Sequence, residues 1–278
     1  AEIVGANYDD HLELLRGCDL IIEAVAERMD IKRSLYEKIA PYISEGAILA
    51  SNTSGLSITT LSEALPEALR PRFCGIHFFN PPRYMRLLET VAGPDTRPEA
   101  VAAIAAFADV GLGKTVIACK DTPGFIGNRI GIYWIQAAIT AAIKAGIAVE
   151  DADAVIGKPM GIPKTGIFGL LDLVGIDLSP HVVASMIASL PKDDPLHAVL
   201  GDSTLIKDMI AQGLTCRKGK GGFYRLDRTG GAKTKLAIDL QTGQNRPQRK
   251  ADLESLDAFK AAGKTGGGRA LLSHDDIG

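Results

Sequence analysis

Arg72-Phe-Cys-Gly-Ile-His77-Phe-Phe-Asn80-Pro81-Pro82, followed at once by Arg86-Leu-Leu-Glu89-Thr-Val91, is the stretch that orders the rest of the chain. Phe73 to Phe79 is apolar and aromatic, and Asn80-Pro81-Pro82 stops it, so it reads as a buried strand with His77 near its carboxyl end. Leu87 to Val91 reads as a second short strand that carries one acid, Glu89, among apolar neighbours. A lone buried carboxylate is costly without a partner, and the nearest candidate is the His77 imidazole. Two readings stand open on these residues alone. One is a proton-transfer pair in which the carboxylate fixes the tautomer and steadies the imidazolium. The other is a core histidine bonded to a backbone carbonyl, beside an acid that caps a turn.

Working back from His77, the chain alternates. Asp10 to Arg16 has a short helical pattern, Leu20-Ile-Ile-Glu-Ala-Val25 is a continuous apolar strand of the kind found inside parallel sheets, and a helix follows with Ile31, Leu35 and Ile39 on one stripe. Gly46 to Ala50 is a strand leading into Ser51-Asn-Thr-Ser54, and a helix over 58–65 delivers the chain to the His77 strand. Strand–helix–strand with short links is a βαβ unit. Ligands of such open sheets gather beyond the carboxyl ends of the strands, which places Glu27, Ser54 and His77 along one rim.

Working forward, Thr96-Arg-Pro-Glu99 fits a capping box opening a helix that stops at Gly111, and 114–119 is one more strand. From Asp121-Thr-Pro-Gly124 the periodicity turns helical, with segments at Phe125 to Lys144, Glu150 to Lys158, Gly166 to Val174, Pro180 to Leu190 and Ser203 to Gln212. The expected layout is therefore α/β: a partial Rossmann-type parallel sheet over 1–120, an all-α domain over 121–228, and a polar tail or linker over 229–278. That last stretch is polar and glycine-rich and reads as surface-wrapping or partly disordered. Lys218-Gly-Lys-Gly-Gly-Phe-Tyr224 reads as a glycine turn docking Phe223 and Tyr224 rather than a phosphate loop, because no strand-to-helix context accompanies it.

The totals narrow the function. With 278 residues, 46% of them apolar, the chain can bury one or two cores, and a net charge of −2 removes bulk attraction to nucleic acid or anionic membrane. Cys18, Cys74, Cys119 and Cys216 are too scattered for a zinc site or a disulfide framework, and such usage suits the cytoplasm. The longest apolar stretch, Ile130 to Ile143, is broken by Gln136 and is shorter than a membrane span requires.

The run His77-Phe78-Phe79-Asn80-Pro81, with Glu89 twelve positions after the histidine, resembles the catalytic segment of the L-3-hydroxyacyl-CoA dehydrogenases, and the resemblance extends over roughly Leu20 to Tyr224. It implies NAD-dependent oxidation of a 3-hydroxyacyl-CoA to the 3-ketoacyl-CoA, with His77 as proton acceptor and Glu89 as its orienting acid. Ser54 corresponds to a serine touching cofactor and substrate, and Asn128, in Asp121-Thr-Pro-Gly-Phe-Ile-Gly-Asn128, to a substrate-binding asparagine. Glu27, Lys32 and Asn80 match positions that line the nicotinamide nucleotide. Taken alone, Glu27 and Lys32 would be a solvated pair, Ser54 a loop hydroxyl, Asn128 a helix-start cap and Asn80 a turn residue. The same resemblance implies an acyl-CoA substrate and a homodimer formed through the helical domain. It also makes the polar tail similar to connecting sequence in the long multifunctional β-oxidation proteins.

One expected feature is absent. G-x-G-x-x-G, whose glycines let a pyrophosphate approach a helix N-terminus, occurs nowhere in these residues. The sequence opens at what reads as the middle of the dinucleotide-binding domain, so the cofactor is expected to bind these 278 residues weakly or not at all. A non-catalytic scaffold segment of a multifunctional protein, or a dehydrogenase of another small 3-hydroxy acid, are the competing readings.

Overall fold

The computed structural model describes residues 3–162, 164–201, 204–216, 219–228 and 233–277, which form two compact units, Ala1–Ile130 and Gly131–Gly278. Among the described residues no helix is long and apolar enough to cross a membrane.

In the first unit the strands β1 (Leu20–Glu23), β2 (Ile48–Ser51), β3 (Phe73–Phe78), β4 (Leu87–Ala92) and β5 (Thr115–Cys119) form one sheet in sequence order. The helices α1 (Met29–Ile39), α2 (Ile58–Glu63) and α3 (Pro98–Ala106) connect them. The pairs β1/β2, β2/β3 and β4/β5 are parallel, whereas β3/β4 is antiparallel, so the sheet is mixed rather than wholly parallel. The Asn80-Pro81-Pro82 turn is the reason: it reverses the chain without a crossover helix and lays β4 beside β3. Both faces of the central strands β2 to β4 are covered, while Ile22 on β1 and Ile117 on β5 stay exposed. Tyr36, Ile39, Ile58 and Leu61 pack with Leu49, Phe73 and Val91 on one face, while Ile104 and Ala108 pack with Cys74, Ile76 and Leu88 on the other. Gly75, mid-strand in β3, lets α2 approach, since a Cβ there would stand 2.7 Å from Ile58 Cδ1 and 3.1 Å from Val91 Cβ.

Three local expectations are corrected. The segment 10–16 lies partly in a short 3-10 turn, Leu12–Gly17, with no buried residue. The buried stripe of α1 is Lys32, Tyr36 and Ile39, with Ile31 and Leu35 only half-buried, because polar bonds inside the unit draw Lys32 and Tyr36 inward. The capping box at Thr96 is not formed. Arg97 occupies the N-cap, and Thr96 Oγ1 instead accepts from the Gly93 amide and donates to the Phe73 carbonyl, pinning β4 to β3.

The second unit takes in most of α4 (Gly127–Ala145), then α5 (Val149–Val155), α6 (Phe168–Val174), α7 (Leu178–Ser189), α8 (Pro195–Val199) and α9 (Thr204–Ala211). It continues into the antiparallel sheet β6 (Tyr224–Asp227), β7 (Thr234–Ile238) and β8 (Asn245–Pro247), and ends with α10 (Glu254–Leu272). The expected helical domain over 121–228 is present, with β6 at its end, and the segment over 229–278 adds β7, β8 and α10 where it is described; Ser203, Lys218 and residues 229–232 lie outside the described residues. The apolar side chains of β7 explain the difference. Ala237 and Ile238 are fully buried with Phe223 and Phe168, whose rings meet edge to face at 4.8 Å. Charge also ties this segment to α5: Arg246 is bidentate on Glu150 at 2.8 and 2.6 Å, and Arg249 pairs with Asp151. Gly222 allows the glycine turn to dock, because a Cβ would stand 2.0 Å from Asp172 Oδ1. The carboxylate of Asp172 accepts from the amides of Phe223 and Tyr224.

Candidate active site

The antiparallel register of β3 and β4 sets His77 directly opposite Glu89, so both side chains stand on the same face of the sheet. His77 Nδ1 lies 2.7 Å from Glu89 Oε2, and both residues are buried. An ionised carboxylate only accepts, so this bond places a proton on Nδ1, and in the neutral imidazole it leaves Nε2 with the lone pair. The Ser54 hydroxyl stands 3.1 Å from that Nε2. Phe79 and Phe125 flank the imidazole, with ring centroids 4.6 and 5.6 Å away.

Glu89 is held from its other side by the start of α4. Gly124 (φ 76) and Phe125 (φ 51) are both left-handed, and this turn aims the amides of Ile126 and Gly127 at Glu89 Oε1, at 3.0 and 2.7 Å. Burial alone would raise the carboxyl pKa, but the His77 bond and the two amides outweigh it and hold Glu89 below its ordinary value. The Cys119 thiol also donates to Oε1, and burial together with the neighbouring carboxylate pushes it up to about 11, so it stays protonated.

The serine loop is gathered by a second carboxylate. Glu27 Oε1 accepts from Thr53 Oγ1 at 2.6 Å and from the amides of Ser54, Gly55 and Leu56 at 2.9, 2.7 and 3.3 Å. Burial works against its ionisation, yet these bonds and Lys32 keep its pKa lowered. Lys32 is not a solvated partner: its side chain is only 1% exposed, and its amine donates to Glu23 at 2.7 Å and forms an ion pair with Glu27 at 3.5 Å. Glu23 in turn accepts from Tyr36 at 3.0 Å and Ser51 at 2.7 Å, so the buried charges are paired and bonded. Asp121 completes the frame by accepting from Ser57 Oγ and the amides of Ile58 and Thr59, at 2.7 to 2.9 Å, which fixes the start of α2 directly after the serine loop. Asn52 Oδ1 takes the Phe78 amide at 3.0 Å and ties the end of β2 to β3.

The structure thus brings His77, Glu89, Ser54, Glu27 and Lys32 into one bonded neighbourhood, with Lys32 reaching the rim only through Glu27. Asn128 stands in the first turn of α4, next to the Gly127 amide that caps Glu89, and Asn80 is exposed just past β3. Neither asparagine bonds the other five among the described residues. Sequence reasoning missed Glu23, Asn52 and Asp121. The one available signal was Glu23, an acid closing the apolar run Leu20-Ile-Ile. An alcohol brought to Nε2 beside Ser54 would find a buried base whose counter-charge is already in place.

A family model of the 3-hydroxyacyl-CoA dehydrogenase NAD binding domain matches residues 3–122, and one of the C-terminal domain of 3-hydroxyacyl-CoA dehydrogenase matches residues 124–226. A Rickettsia prowazekii protein named for the trifunctional enzyme of a fatty acid oxidation complex is 40% identical over 247 residues, 89% of this chain and 34% of that protein. The chain thus spans about a third of that relative. Human mitochondrial hydroxyacyl-coenzyme A dehydrogenase is 33% identical over 220 residues, 79% of this chain and 68% of that protein. Among solved structures, M. tuberculosis FadB2 superposes with a TM-score of 0.67 at 32% identity, covering 77% of this chain and 72% of that one.

Proposed function

Because this chain belongs to the 3-hydroxyacyl-CoA dehydrogenase family, we propose that the polypeptide carrying it oxidises an (S)-3-hydroxyacyl-CoA to the 3-ketoacyl-CoA with NAD, as a step of fatty-acid β-oxidation. The observation that carries the reading is the bonded string Glu89–His77–Ser54, in which the free imidazole nitrogen sits beside a hydroxyl at 3.1 Å. The name of the rickettsial relative supports the metabolic setting.

His77 Nε2 takes the proton of the substrate hydroxyl, and Glu89, already bonded to Nδ1, stabilises the imidazolium that results. In the reverse direction the same imidazolium returns the proton to the carbonyl oxygen. Ser54, and Asn128 from the first turn of α4, hydrogen-bond the substrate oxygens and hold the reacting carbon in place. NAD, when bound, supplies the hydride acceptor. The rim fits the nicotinamide end of that molecule: Ser54 and Gly55 are exposed there on a loop that Glu27 holds rigid, and a Cβ at Gly55 would approach nothing nearer than Glu27 Oε1 at 3.7 Å. Glu27, Ser54 and Asn80 are the residues we assign to it, with Lys32 acting through Glu27. No G-x-G-x-x-G occurs in these residues, so the 278-residue chain alone binds NAD weakly or not at all; tight calorimetric titration would refute that.

A homodimer and a cytoplasmic site belong to the same reading. Ile130 and Tyr133, left exposed on α4, and four free thiols support them.

The test is NADH formation by the full-length polypeptide on a panel of 3-hydroxyacyl-CoA thioesters and free 3-hydroxy acids. His77→Gln should lower kcat by about 10²–10⁴-fold. Turnover of free 3-hydroxy acids only, or a loss below tenfold in the variant, overturns the assignment.

A further inference from the structure

The second unit carries a groove of about 1240 Å³ in which Lys158, Lys164, Lys220, Arg225, Lys235 and Lys250 converge. This is somewhat above the roughly 300–1,000 Å³ of ordinary small-ligand clefts and suits a nucleotide-sized molecule. None of these six cations makes an ion pair among the described residues. In a chain whose net charge is −2, such a gathering is local and does not reflect overall composition.

Two acids line the same groove, and both are already engaged. Glu150 is taken by the Arg246 guanidinium and the Arg249 amide. Asp153 accepts from the amides of Phe168 and Gly169 and from the Tyr224 hydroxyl, and burial raises its pKa. Arg246 meets the charge of Glu150, whereas Asp153 has only neutral donors, so at most one unmatched carboxylate faces the six cations, and the net positive field is focused in a concave site.

The glycine turn gives the groove one wall. Gly221 (φ +122) and Gly222 lie so close to Arg225 and Asp172 that a Cβ at either would stand 2.5 Å or less from a side-chain atom. The glycines serve docking, while Lys220 between Gly219 and Gly221 lines the groove. Leu226, 42% exposed, and the half-buried Phe259 add apolar surface of the kind that takes the face of a base.

We propose that this groove binds a small organic polyphosphate, of the chemistry shared by the phosphorylated head of CoA and by free nucleotides. Fluorescence or calorimetric titration of the full-length polypeptide with CoA, adenosine 3′,5′-bisphosphate, ATP, AMP and inorganic pyrophosphate tests it. Multiply phosphorylated compounds should bind more tightly than AMP and weaken as salt rises. The double variant Lys220→Glu/Lys235→Glu should weaken them tenfold or more, since one charge-assisted contact is worth about a factor of ten. CoA and the bisphosphate binding above ATP would assign the site to the CoA head; equal affinities would assign it to nucleotide polyphosphates in general. His77→Gln should lower dehydrogenation about 10²–10⁴-fold and leave this binding intact, which separates the groove from the proposed reaction. A hydrogen-exchange footprint over 219–227 in the unmutated protein provides a readout that does not depend on the variant's folding. No binding at millimolar ligand, no footprint there, or affinities that the double variant leaves unchanged would overturn the proposal.

Discussion

Glu89→Gln tests the site most directly, because the structure says what each of the two carboxylate oxygens does. Oε1 accepts from the Ile126 and Gly127 amides, and a glutamine carbonyl keeps both bonds. Oε2 accepts from His77 Nδ1 at 2.7 Å, and there the glutamine presents an NH₂ group, so two donors would face each other. The imidazole relieves the conflict by moving its proton to Nε2, which places N–H where the lone pair has to receive the substrate proton. The loss combines a wrong tautomer with a missing counter-charge. A charge-assisted bond of about 1.5–3 kcal/mol corresponds to roughly 10–10²-fold in rate. The tautomer penalty, worth about 10⁴-fold in the serine-protease triad where an acid-to-amide change has the same effect, sets the upper limit. The expected result is a kcat about 10²–10⁴-fold lower, a Tm modestly lower because the stabilising ionised carboxylate is gone, and an acid limb of the kcat/KM profile moved toward lower pH. Steady-state kinetics over pH 5–9, beside a thermal melt, checks all three. A kcat loss below tenfold with an unmoved profile would show that Glu89 is structural, and the proton-transfer reading would fail.

Three further outcomes follow from the same geometry. Glu27→Ala removes the acceptor of three loop amides and should lower kcat/KM about 10–10²-fold by loosening Ser54, while Glu27→Gln, which keeps one acceptor oxygen, recovers most of it; equal losses in the two variants would contradict a positioning role. Gly75→Ala pushes a methyl to 2.7 Å from Ile58 Cδ1 and should cost about 1–3 kcal/mol, read as a lower urea midpoint at constant m. Glu27, Glu89 and Asp121 all have folded pKa values lowered below the ordinary 4.5 or 3.8, so the unfolded chain binds protons more readily. Their contribution is full above about pH 4.5 and is lost as pH falls through the folded values, and Asp121→Asn should flatten the urea midpoint's fall between pH 4.5 and 3.

Local pattern carries far in this chain, and its limits have a physical cause. The apolar run at Leu20, the aromatic strand at Phe73 and the turn at Asn80-Pro81-Pro82 are short-range properties, and they determine the strands and the hairpin that sets His77 against Glu89. Polar burial is different, because whether a charge goes inside depends on which partner arrives from elsewhere in the chain. Lys32 is enclosed because Glu23 and Glu27 meet it, and α2 starts where Asp121, more than sixty residues later, receives its amides. Phe125 takes a left-handed conformation in a turn whose following amides fall on Glu89. The segment past residue 228 shows the same limit. Its composition is that of a solvated tail, yet Arg246 and Arg249 find Glu150 and Asp151 about a hundred residues back, and Ala237 and Ile238 find Phe223. Periodicity fixed which residues could face inward; only the folded chain decided which charges had company there, because a carboxylate or ammonium is stable in the interior only when an opposite charge or bonded polar groups meet it.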